Sequence, residues 1–146
     1  MENISRVSYR NNYEYYKDIS ANENIVLRHT SALECLGMFV GYINDSEVDV
    51  YSLEPITNDN INCCIVDNFD EIEIIKIDNI YCTSFNQTIN DMLSDLNSDL
   101  EALLQALSNY YYSNNQSFNG LRINKENKEA FKNIREWTID YYKGGF

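Results

Sequence analysis

The chain has 146 residues, enough for one domain with a sizeable core, and 44% of them are hydrophobic, as in an ordinary folded protein. Its net charge of −12, from 23 acidic residues against 11 Lys or Arg, repels phosphate and sets direct nucleic-acid binding aside. No apolar run approaches the roughly 18–20 residues that span a bilayer, and the N-terminal MENISRVSYRNN is too polar for a secretion signal, so a cytoplasmic location without membrane contact is expected.

Residues 5–19 place Tyr9, Tyr13 and Tyr16 at spacings of four and three, which predicts a helix whose aromatic stripe covers a core edge. Residues 1–24 thus read as an N-terminal helix and lead-in to a domain of residues 25–146. Ile25, Val26 and Leu27 predict a short buried strand. Ser31 then precedes Glu34 at the spacing of a capping box, and Gly37 stands where a left-handed residue ends a helix. Met38, Phe39, Val40, Tyr42 and Ile43, interrupted by Gly41, continue as an apolar extended piece or a tight turn. His29, the single histidine, reads as a capping or core residue, because no Ser, Cys or Asp stands beside it to complete a catalytic relay.

Beyond the turn Asn44-Asp45-Ser46, strands are expected around Val48, Val50 and Leu53 and over 61–66, 71–77 and 80–82. Glu71, Glu73 and Asp78 mix with Ile72, Ile74, Ile75 and Ile77, a pattern that fits a sheet with one wet face. Ser84 and Gln87 form a second capping box, followed by Phe85, Ile89, Met92, Leu93 and Leu96 on one helical face. Ser98 and Glu101 form a third, opening a helix with Leu100, Leu103, Leu104, Leu107 and Tyr111 as its stripe. After the polar loop 113–119, Asn124 is the expected cap of a final helix that docks through Trp137, with Gly144-Gly145 stopping it. The fold class is α+β: a small mixed or antiparallel sheet packed against several amphipathic helices in a single domain.

Cys35, Cys63, Cys64 and Cys82 lack the paired spacing of a zinc site, and adjacent strand residues point to opposite faces, so reduced and mostly buried thiols are expected. A calcium loop beginning at Asp45 fails because Val50 and Ile56 fall where glycine and glutamate are required. Asp49 has no Gly-Ser before it and Tyr51 two residues after it, so a nucleotidyltransferase metal site is missing too. No cofactor and no catalytic residue is expected. Cys82, at a strand end before a helix, is the one thiol worth weighing as a nucleophile.

Between Arg28 and Arg122 the only basic residue is Lys76. The acids of that stretch, with Asp45, Glu47, Asp49, Asp67, Asp70, Glu71, Glu73 and Asp78 as the candidate contact residues, suit a protein partner with a basic surface.

Three stretches, RHTSALECLGMF (28–39), YCTSFNQTINDML (81–93) and DLEALLQALSNYY (99–111), resemble the C-terminal domain of the AbiEi family, the antitoxin half of type IV abortive-infection systems. The resemblance implies a strand, a short Ser-Ala-Leu helix, a set of strands, a Thr-Ser step into a helix and a Leu-rich helix. It also implies binding and neutralisation of a nucleotidyltransferase-like toxin without catalysis. The 24 residues before Ile25 are too few for the winged helix-turn-helix of full antitoxins, so an antitoxin-like domain without its DNA-binding half is expected. The acidic composition also fits an alternative, a phage-encoded inhibitor of a nucleic-acid-binding defence effector, similar to an anti-CRISPR protein that mimics nucleic acid.

Overall fold

Among the described residues, five short strands and five helices alternate irregularly along the chain. In order they are α1 (Asn12–Ile19), β1 (Ile25–Leu27), α2 (His29–Cys35), β2 (Val48–Ser52), β3 (Ile61–Ile65), β4 (Ile74–Ile77), β5 (Ile80–Thr83), α3 (Phe85–Ser94), α4 (Leu100–Ser113) and α5 (Lys128–Asp140). A 3-10 turn over Lys125–Asn127 leads into α5. The computed structural model describes residues 12–21, 24–39, 48–56, 60–95 and 97–141.

The strands form one mixed sheet in the order β3-β2-β1-β5-β4, which makes the architecture α+β. The pairs β1·β2 and β4·β5 are antiparallel, and β1·β5 and β2·β3 are parallel. Period-two alternation sends Val48, Val50, Ile25, Leu27, Ile80 and Cys82 to one face, where they pack with Tyr15, Tyr16 and Ile19 of α1 and Ala32 and Cys35 of α2. A second core gathers Ile89 and Met92 of α3, Ala102, Leu103, Ala106 and Leu107 of α4, and Ile134 of α5 around Leu33. So α2 is the wedge between two cores: Ala32 and Cys35 face the sheet while Leu33, one position on, faces the helices. A helix of seven residues is too short to be stable alone, and burial on both sides supplies what propensity does not.

Two local signals have the expected geometry. Gly37 adopts φ +74, and the amides of Gly37 and Met38 donate to the carbonyls of Glu34 and Leu33 at 3.0 and 2.9 Å, the paired bonds of a Schellman terminator. Ser84 Oγ accepts from the Gln87 amide at 3.1 Å at the start of α3. The turn between β4 and β5 has only two residues, Asp78 at φ 51 and Asn79 at φ 69, both left-handed. This is the geometry two-residue hairpins favour, and short polar side chains tolerate it best.

Other expectations need correction. Ser31 does not cap α2: the helix begins two residues earlier at His29, and Ser31 Oγ accepts from the Asp49 amide of β2 at 2.9 Å instead. Asp99, not Ser98, caps α4, accepting from the Ala102 amide at 3.1 Å, because both residues precede equivalent first turns and the carboxylate is in register. Asn124 makes no side-chain cap before the 3-10 turn. Residues 71–73 belong to the connection before β4 rather than to a strand. Trp137 does not dock α5. It is 57% exposed, while Ile134 and Thr138, three positions before it and one after it, are buried, since the packed stripe passes through those two and leaves Trp137 outside. Of the expected tyrosine stripe, Tyr16 is in the sheet core, together with Tyr15. Tyr9, the side chain of Tyr13, the 40–43 run and Gly144-Gly145 lie outside the described residues.

Candidate interaction surface

The connection from β3 to β4 joins opposite edges of the sheet in residues 66–73. No β-hairpin can bridge that gap, so the segment crosses as a loop and presents its polar side chains to water. Asp67, Asp70 and Glu71 are all exposed and line an open hollow of about 430 Å³ together with Val66, Asn68 and Ile72. The Asn68 side chain accepts from the Asp70 amide at 2.9 Å, an Asx turn that sets the loop's bend. These three acids are the ones that the structure brings together.

The remaining candidates are placed elsewhere. Asp49 is half-buried within β2, where its carboxylate accepts from the Asn62 side chain at 3.0 Å. Glu73, at the end of the connection, takes the Ser84 hydroxyl and pairs with Arg122 at 3.2 Å, so its charge is partly answered within the fold. Asp78 is exposed in the β4–β5 turn, across the sheet from Asp67. Asp45 and Glu47 lie outside the described residues.

No protein-family model, curated protein or solved structure matches this chain.

Beside the hollow runs a polar seam that sequence reasoning did not find. The Glu73 amide donates to Gln87 Oε1 at 2.9 Å, Gln87 Nε2 to Asp91 at 2.9 Å, and the Tyr51 hydroxyl to the other oxygen of Asp91 at 2.8 Å. Arg28 lies over the Tyr51 ring, 4.5 Å from its centroid. Burial, and then the Asp91 carboxylate, push the Tyr51 phenol up to about 12, so it stays a donor. Further along α3, Asn86 and Asn90 hold the segment 122–127. Asn86 Oδ1 accepts from the Arg122 amide, and Asn90 bonds the Arg122 carbonyl and the Asn124 amide, each at 2.8 Å. Gln87 thus abandons the reciprocal bond of a capping box in order to fix the end of the acidic connection. The only advance signal was the i, i+4 spacing of Asn86, Asn90 and Ser94 on α3.

Among the described residues no three His, Cys, Asp or Glu side chains come together as a ligand set. The Cys82 thiol is fully buried, and its hydrogen bond to Cys35, then burial, push it up, so it is neither ionised nor reachable. All four cysteines are free thiols; Cys35 and Cys82 are buried, and Cys63 and Cys64 are half-buried. His29 is buried, with Nε2 held by Asp95 and Nδ1 lacking a partner. No helix among the described residues is long and apolar enough to cross a membrane.

Proposed function

We propose that this chain is a non-enzymatic binding domain, antitoxin-like in the sense of the AbiEi resemblance, that neutralises a protein partner by presenting the 66–73 connection to a basic surface. The observation that carries this reading is the exposure of Asp67, Asp70 and Glu71 around one hollow, on a loop whose far end is fixed to α3 through Glu73, Gln87 and Arg122. Clustered carboxylates on an anchored segment are held close, and among the described residues no ion pair neutralises Asp67, Asp70 or Glu71. They raise the encounter rate with a basic partner and fix its orientation more than they add raw affinity.

The test is co-purification of the partner encoded beside this chain, comparing the parent with the combined Asp67→Lys, Asp70→Lys, Glu71→Lys variant. Retention of the partner by the parent, release as ionic strength rises from about 0.1 to 1 M, and loss in the variant are the expected results. Retention that survives the three charge reversals would remove the acidic loop from the interface. Displacement of a bound effector by added nucleic acid would instead favour mimicry of nucleic acid.

A further inference from the structure

Strand β3 is an edge strand, and its outward side has a defined chemistry. The Val48 amide donates to the Asn60 carbonyl at 2.8 Å, and the Val66 amide to the Ser52 carbonyl at 2.9 Å. Successive strand residues send their backbone groups alternately to the two sides in the plane of the sheet. With the parallel register from Ile61↔Val48 to Ile65↔Ser52, Asn60, Asn62, Cys64 and Val66 therefore bond toward β2. The N–H and C=O groups of Ile61, Cys63 and Ile65 point to the outer edge, where no described strand pairs with them.

Edge strands of native proteins are usually blunted by a charge, a proline or a bulge. β4, at the other edge, carries Lys76 in the middle of its four residues. β3 reads INCCI, with no charge and no proline, and leaves Ile65 54% exposed. We infer that β3 is a docking edge that takes an extended, basic segment of a partner protein as a sixth, antiparallel strand. The inference rests on the reading that the acidic connection faces a basic partner. It adds that affinity comes from main-chain bonds to Ile61, Cys63 and Ile65, while the acids set direction. β3 runs directly into Asp67, Asp70 and Glu71, so an antiparallel strand enters with its N-terminal end beside them, and its basic residues precede its extended stretch. Charge selects this occupant over a second copy of the chain, which would bring the same acids and a net charge of −12.

The probe is a synthetic peptide in which arginines precede an alternating valine and threonine stretch of about six residues, a usual strand length. Its complex with the full chain is followed by amide hydrogen exchange. The Ile61, Cys63 and Ile65 amides are expected to gain about tenfold protection or more, while Asn62 and Cys64, already bonded to β2, change little. Ile65→Pro removes an outward donor and leaves the β2 ladder intact, and Ile65→Lys places a charge on the edge; each is expected to weaken binding about tenfold. Absence of peptide binding, binding without protection at those three amides, or equal binding of a peptide with N-methylated backbone amides would overturn the inference. If the edge fails these tests while the Asp67, Asp70 and Glu71 reversals still release the natural partner, the acidic docking reading stands alone. If a glutamate-for-arginine peptide binds equally well and protects the same amides, the edge stands and the basic occupant is overturned. Protection that grows with the concentration of the chain itself would assign the edge to a second copy.

Discussion

The imidazole Nε2 of His29 lies 3.0 Å from Asp95 Oδ2, so the first residue of α2 is tied to the residue that closes α3. His29 adopts φ +49, a left-handed conformation unfavourable for a side chain with a Cβ. Asp95 also accepts from the Asn97 amide at 2.9 Å. The contact therefore holds the wedge helix between the two cores against a local backbone cost.

Neutralising that carboxylate tests the tie through pH. The hydrogen bond from His29, then the Asn97 amide, hold the Asp95 carboxyl below its usual range. A folded-state value below the unfolded one, which is about 3.9 for aspartate, gives stability that is complete above the unfolded value. That stability is lost as pH falls through the folded value. Asp95→Asn is expected to have a lower urea midpoint than the parent near about pH 6, with the two converging toward about pH 3. A constant gap between the midpoints would show that the fold does not favour the ionised carboxylate.

Asn90 is expected to be the most costly polar residue to replace. It is 5% exposed, donates to the Asn86 and Arg122 carbonyls, and accepts from the Asn124 amide and the Asn127 side chain. Asn90→Leu keeps roughly the same volume and leaves the Arg122 carbonyl and the Asn124 amide unpaired, at about 1–3 kcal/mol for each one that stays buried, while the Asn127 side chain keeps its bond to the residue-90 carbonyl. Denaturant unfolding measures the loss, and exchange of the Arg122 and Asn124 amides should rise with it. A variant of unchanged stability would show that water replaces the asparagine without penalty.

Trp137 and Ile134 make a matched pair on α5. Trp137→Ala is expected to change stability by no more than about 0.5 kcal/mol, as at an exposed site, whereas Ile134→Ala should cost about 2 kcal/mol or more. Because Trp137 is the only tryptophan, its fluorescence in the native parent should be readily quenched by acrylamide. Shielded emission would place it in the core after all.

What the sequence determined by itself was whatever a few consecutive residues complete. The α+β class, the strands at Ile25, Val48 and Ile61, the Ser84 cap and the Gly37 terminator all depend on side-chain period or on bonds spanning a single turn. The same local rule misplaced the caps at Ser31 and Ser98, because a distant amide took the Ser31 hydroxyl and the adjacent Asp99 took the Ala102 amide while the Ser98 hydroxyl turned to the Met92 carbonyl. Tertiary structure alone decided which polar groups are spent inside the fold. Asp91 and Asp95, two further acids of the stretch between Arg28 and Arg122, serve Tyr51 and His29. Asn90 reaches partners 32 to 37 positions away, and Trp137 yields its place in the core to Ile134 and Thr138. Among the described candidates of the acidic stretch, only Asp67, Asp70 and Glu71 came together. Which hydrogen bonds a carboxylate or amide makes depends on what the chain brings near it from elsewhere, and that information is carried by the packing of α2 between two cores rather than by any short run of residues.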